Sequence, residues 1–278
     1  MTDLNIAEND YLRSRFIRSL VQGSIATDDF EESTYIPKNI IQFWDNLNEI
    51  PSDVQNCIES WDKLLKQGFS RVIFDDVSAR KFILERFGNT YIKAYDRCHH
   101  PAMRCDYFRL CYILINGGFY VDVDELYQGK DCHFLFKDNK LKIQPLCYDV
   151  ATGSMIATDT FIKKKEYSED WIFYLNNNPI IAPAYHPIIK IALDRATYNL
   201  LNNERANLEI QSTTGPGNLT ASLVKHAVNC DRNEEKYDFM FLVDWELISI
   251  TPWPLSYRND NRNWRLWNSS GLWKKSSL

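Results

Sequence analysis

A chain of 278 residues that is 45% hydrophobic is long enough to bury a core, and short enough for one catalytic domain with decorations. A formal net charge of −5 gives no bulk basic surface, so nucleic acid is not an expected partner. The seven cysteines are odd in number and lack Cys-x-x-Cys spacing, which disfavours a disulfide framework and fits a reducing compartment.

The N-terminal stretch MTDLNIAEND is polar and acidic, without a charged-then-apolar leader pattern. No apolar run approaches the ~18 residues of a transmembrane helix, so a cytoplasmic protein is expected. Peripheral membrane association stays compatible with this pattern. Leu12, Phe16 and Leu20, with Ile17 and Val21 beside them, predict an amphipathic helix over 10–22 that Gly23 ends. Residues 24–35 read as an acidic linker. The expected organisation is an N-terminal helix and linker over 1–34 and a catalytic domain over 35–278.

Asn39 to Trp44 reads as a buried strand. Ser52 is placed to cap a helix whose apolar stripe is Val54, Cys57, Ile58, Trp61 and Leu65. A strand over 71–74 ends in Asp75-Asp76, and Ser78 is placed to cap the next helix, through Phe87. This alternation predicts an α/β sandwich with a mainly parallel sheet. Pro101 opens another helix, which Asn116-Gly117-Gly118 stops. A strand over 119–124 follows, then candidate strands at 141–147 and 180–182, and a helix over 187–201. Thr214 to Asn218 is a turn, with a helix from Leu219 to Val228. Residues 236–278 show no helical period and read as strands with an ordered tail.

The chemistry concentrates in Gly117-Gly118-Phe119-Tyr120-Val121-Asp122-Val123-Asp124-Glu125. Alternate residues of an extended segment point the same way, so Asp122 and Asp124 present two carboxylates at a strand end. Two hard oxygen ligands there suit Mg2+ or Mn2+ held against a diphosphate. Asp-x-Asp alone is a weak motif, but an apolar and aromatic run, Phe119-Tyr120-Val121, and a Gly-Gly break precede this one, unlike a solvated charge run. Upstream, Asp106 and Arg109 share a helical face. They read either as an ordinary surface ion pair or, on a helix apolar most of the way round, as ligands for hydroxyls and phosphates.

Pro101 to Arg109 followed by Gly117 to Asp124 resembles the core of the family 32 glycosyltransferases, which include initiating mannosyltransferases and capsular-polysaccharide sugar transferases. The same core is similar to that of the clostridial glucosylating toxins. Cys105 stands where the family pattern has Ser. Ile36 to Trp44 resembles the family's first strand, with Ile41 in place of a usual His, and Thr214-Gly215-Pro216-Gly217 resembles its Thr-Gly-Pro turn. The resemblance implies a GT-A-type α/β/α sandwich around a mixed, mostly parallel sheet with added helices. It implies a metal-dependent retaining transfer from a UDP- or GDP-sugar, with Mn2+ or Mg2+ as cofactor.

By the same resemblance, Asp122, Asp124 and Arg109 carry the chemistry, and Asp124 and Asp122 hold the metal. Trp44, Asp106, Arg109, Asp122, Gly215, Ser270 and Trp273 bind the donor. The family's C-terminal His is missing, and Asn268 is the candidate third metal ligand. The acceptor is expected to be a capsular or surface glycan, with a host protein, as for the toxins, as the alternative. A reading of another class is an Asp-x-Asp phosphohydrolase of the haloacid dehalogenase type. Its motif belongs on the first strand, and here the motif follows several elements. A carbohydrate-binding module with a dead site is disfavoured by the intact acidic pair.

Overall fold

The computed structural model describes residues 4–23 and 36–266. The strands are β1 (Asn39–Phe43), β2 (Ser70–Phe74), β3 (Gly118–Tyr120), β4 (Leu126–Tyr127), β5 (Leu141–Asp149), β6 (Ser154–Ile156), β7 (Trp171–Ala182), β8 (Phe239–Phe241) and β9 (Ser249–Ile250). The helices are α1 (Leu4–Glu8), α2 (Asp10–Gly23), α3 (Ser52–Ser60), α4 (Asp62–Leu65), α5 (Asp76–Phe87), α6 (Asn89–Asp96), α7 (Pro101–Asn116), α8 (Thr158–Ile162), α9 (Pro187–Asn202), α10 (Ile210–Thr213) and α11 (Pro216–Asn233).

Seven strands form one mixed sheet in the order β2-β1-β3-β7-β5-β6, with β8 also on β5. β1 pairs parallel with β2 and β3, and β8 with β5, while β7 runs antiparallel to β3 and β5. β4 and β9 form a separate small ribbon.

Strand alternation divides the core between two faces. Ile41, Tyr120 and Ile180 lie in register and face the larger helical layer, where α9 packs on both α7 and α11. Ile40, Phe119 and Ile181 face a second cluster with Trp61, Leu64 and Trp245. The result is the expected α/β/α sandwich around a mixed sheet. Ile17 and Val21 of α2 are buried in the larger core, and α2 packs on β7 and α11.

α7 shows how local sequence aims the site. His100 Nδ1 accepts the Ala102 N–H at 3.0 Å, and Pro101 opens the first turn with a residue that has no backbone donor to satisfy. Gly117 ends the helix at φ 62°, and a Cβ there would stand 2.7 Å from the Ala184 nitrogen. At Gly118, φ 117°, a Cβ would meet Ile41 Cδ1 at 2.9 Å. The two glycines therefore let the chain fold straight from α7 into β3, seated between β1 and β7.

Several expected elements differ. Asp75 caps α5, and Ser78 is the third residue of a reciprocal capping box with it. No side chain caps α3, whose first residue is Ser52. The helix breaks after Trp61, so Leu64 is buried in place of Leu65. The strand at 180–182 is the end of the twelve-residue β7, whose polar Asn176-Asn177-Asn178 run hides it from a pattern search. α11 extends from Pro216 to Asn233, longer than expected. Strand β3 stops at Tyr120, so Asp122 and Asp124 lie in the turn beyond it.

Candidate functional site

A cleft of roughly 320 Å3, at the lower end of the range for small-molecule sites, opens beyond the end of β3. It is lined by Trp44, Asp106, Arg109, Asp122 and Asp124, which sequence reasoning had singled out separately. Asp122 and Asp124 converge through a turn, in which the Glu125 N–H donates to the Asp122 carbonyl at 3.2 Å. Asn178 of β7 fixes that turn by accepting the Asp122 N–H at 2.9 Å.

Arg109 organises the interior. Its Nη2 donates to Asp122 Oδ1 at 2.9 Å and lies 3.1 Å from Asp106 Oδ1, while Nη1 donates to the Asn177 carbonyl at 2.5 Å. The guanidinium also lies over the Tyr120 ring, 4.1 Å from its centre. Asp106 and Arg109 are 6% and 3% exposed, which removes the surface ion-pair reading. Asp106 further accepts from Asn177 Nδ2 at 2.7 Å. Burial raises its pKa to about 6, because Arg109 divides its charge between two carboxylates and offsets only part of the desolvation. Arg109 stays charged: despite its burial, Asp122 foremost and the groups around it hold its pKa well above the ordinary value.

Asp124 Oδ2 accepts from Tyr257 Oη at 2.6 Å and from Arg258 Nη2 at 2.7 Å. Burial and the neighbouring Asp122 charge raise its pKa, against the opposing pull of Tyr257 and Arg258. Glu125, next in the motif, also lines the cleft. Its carboxylate receives Asn178 Nδ2 at 2.9 Å, Thr251 Oγ1 at 2.9 Å and the Ser249 hydroxyl. Burial raises its pKa to about 7.

Trp44 forms a wall, packed with Val54, Ile58 and Val123. The Arg262 guanidinium lies over its ring at 5.0 Å, and Tyr257 meets it edge-on. Gly215 stands beside Asp106, where a Cβ would approach Oδ2 to 3.3 Å and the Ile210 carbonyl to 3.0 Å. Thr214 Oγ1 reaches Asp106 Oδ2 at 3.4 Å. Asn268, Ser270 and Trp273 lie outside the described residues.

Sequence reasoning missed Asn177, Asn178, Glu125, Tyr257, Arg258 and Arg262. The uninterrupted Asn176-Asn177-Asn178 run and the basic, aromatic stretch from Tyr257 to Arg265 were the available signals. Among the described residues no group of three or more His, Cys, Asp or Glu could hold a metal by itself. The donor set still fits Mg2+ or Mn2+, which take one or two carboxylates and complete their shell with water and phosphate. The side-chain donors that reach this pair take Asp122 Oδ1 and Asp124 Oδ2, which leaves the second oxygen of each carboxylate clear of them.

Residues 51–145 match the glycosyltransferase sugar-binding region containing a DXD motif. That stretch holds Asp106, Arg109, Asp122 and Asp124. An uncharacterised glycosyltransferase of Acanthamoeba polyphaga mimivirus is 31% identical over 90 residues, which span 32% of this chain and 36% of that protein. The solved PaToxG glycosyltransferase is similar at 17% identity and a TM-score of 0.49, over 83% of this chain and 82% of that one. Among the described residues no helix is long and apolar enough to cross a membrane.

Proposed function

We propose that this chain, which carries a glycosyltransferase DXD region, is a metal-dependent retaining glycosyltransferase that moves a sugar from a nucleoside-diphosphate sugar to a glycan acceptor. One observation carries the reading. Asp106, Arg109, Asp122, Asp124 and Trp44 come from three separate stretches of chain and line a single cleft. That cleft lies where the parallel strands β1 and β3 end, the place where open α/β sheets bind ligands.

Asp124 and Asp122 would hold Mn2+ or Mg2+, which when bound offsets the negative charge developing on the departing diphosphate. Asp106, held by Asn177 and Arg109, is a rigid acceptor for donor sugar hydroxyls. Arg109 keeps Asp122 oriented and contributes fixed positive charge at the phosphate end. Trp44 offers the stacking face for the base, and the planar Arg262 cation marks that face in the structure. Gly215 keeps a backbone edge low beside Asp106, so a ligand approaches it closely. We place the reaction in the cytoplasm, acting on capsular or surface polysaccharide.

A native-state ligand stabilises the fold by mass action, by about 2.7 kcal/mol at one hundred times its dissociation constant, and so raises the melting temperature. UDP or GDP should therefore stabilise the protein with Mn2+ present, and much less with EDTA. No shift with either nucleotide in Mn2+ overturns the reading.

A further inference from the structure

Asp124 and Arg258 meet at the centre of the cleft, and the reading of that cleft as a donor site gives the pair a second use. Arg258 belongs to the turn Ser256–Asn259, far along the chain from the motif. Its side chain is 12% exposed and its guanidinium lies 4.4 Å from the Trp253 ring centre and 5.5 Å from that of Tyr257. One N–H direction is spent on Asp124 Oδ2, and among the described residues the buried Nε has no partner. The backbone around it is tied down. Ser256 donates from N and Oγ to Asp53 at 2.6 and 2.9 Å, and Asn263 Nδ2 donates to the Arg258 carbonyl at 2.6 Å.

Each carboxylate of the motif thus has a cationic partner, Asp122 in Arg109, which it shares with Asp106, and Asp124 in Arg258. A divalent cation taken up by Asp124 at its other oxygen brings a like charge onto the carboxylate that Arg258 holds, and that repulsion loosens Arg258 from it. A guanidinium left unpaired in a largely buried cleft is costly. A diphosphate supplies what it then lacks, since the planar fork matches phosphate oxygens and the free Nε adds a second donor.

We propose that Arg258 is a two-position cation, serving as the counterion of Asp124 until a divalent cation claims that carboxylate and then as a ligand of the donor diphosphate. This rests on the metal-dependent donor-site reading above. Metal and nucleotide then bind in a coupled way. Arg258 opposes the metal alone and favours the diphosphate once the metal is in place. Trp253 and Tyr257 flank the guanidinium through the change, and the anchored turn leaves the motion to the side chain.

The test measures binding and needs no turnover. Mn2+ affinity without nucleotide is followed by electron paramagnetic resonance. UDP and GDP affinity in saturating Mn2+ is followed by calorimetry, for the wild type, Arg258→Gln and Arg258→Lys, with melting curves to establish folding. Arg258→Gln should bind Mn2+ alone about tenfold more tightly and the nucleoside diphosphate about tenfold more weakly. Arg258→Lys keeps a competing charge but loses the fork. It should leave Mn2+ affinity near wild type and still weaken the diphosphate severalfold. A merely structural Arg258 would shift both affinities the same way, and that result, or two unchanged affinities, overturns the proposal. Should Arg258→Gln not fold, a Lys variant with wild-type diphosphate affinity overturns it as well. A wild type that binds neither Mn2+ nor nucleotide overturns the donor-site reading itself, a distinguishable result.

Discussion

Asp106→Asn separates a carboxylate kept for ligand binding from one kept for the fold. In the folded protein the Asp106 pKa lies at about 6, raised from an ordinary 3.8. The folded state therefore holds the proton more tightly than the unfolded chain. The protonated group's contribution to stability is fully present below 3.8 and is lost as pH rises through about 6. Each pKa unit corresponds to 1.36 kcal/mol, so the loss across that window is about 3 kcal/mol. Asn cannot titrate and keeps an acceptor for Asn177 and Arg109. Any constant packing cost of the substitution cancels when two pH values are compared. Denaturant unfolding of both proteins at pH 4 and pH 7.5 should show the wild type losing about 2 kcal/mol relative to the variant on going to pH 7.5, since part of the loss has already occurred at pH 4. Donor binding by the variant should fall by orders of magnitude at both. Parallel stability profiles would refute the buried-charge argument, and intact donor binding would refute the role of Asp106. A residue that costs stability when ionised, yet is essential for binding, is what a functional site is expected to contain.

Arg109→Lys keeps the charge but cannot hold both Asp122 and the Asn177 carbonyl while covering the Tyr120 ring. It should cost about 3 kcal/mol, seen as a melting temperature lower by about 5 °C, and should cut kcat/KM by orders of magnitude. Trp44→Ala should raise the donor KM by the equivalent of about 1–3 kcal/mol of stacking and also destabilise the fold, because the ring packs on Val54 and Ile58. An unchanged KM in a folded Trp44 variant would remove the ring from the site. His100 is buried and its pKa falls to about 4 from 6.5, so its contribution to stability is lost as pH drops between those values, by up to about 3 kcal/mol. His100→Asn retains a side-chain cap for α7 and should flatten that part of the acid profile in unfolding experiments.

The residues legible in the sequence are those whose meaning is local. Asp106 and Arg109 share one turn of α7, and Gly117-Gly118 delivers Asp122 and Asp124 a few residues later. Their geometry was read through the wrong device, since strand alternation was expected and a turn held by Asn178 is found. The remaining partners come from far along the chain. Asn177 lies 71 residues from Asp106, and Arg258 lies 134 from Asp124. Pairing over such separations leaves no periodic trace, and an asparagine run inside a strand looks like a loop. Likewise the helix at 101–116 was plain from its proline start and glycine stop. The full length of β7 was not, because its three asparagines interrupt the apolar pattern and line the cleft.

The most direct measurement is hydrolysis of a panel of UDP- and GDP-sugars by the wild type and Asp124→Asn, with Mn2+ or with EDTA. The account predicts release of nucleoside diphosphate from one donor class by the wild type in Mn2+, and near-complete loss of that release with EDTA or in the folded variant. Equal release in EDTA and by Asp124→Asn, or none from any donor in Mn2+, would contradict it.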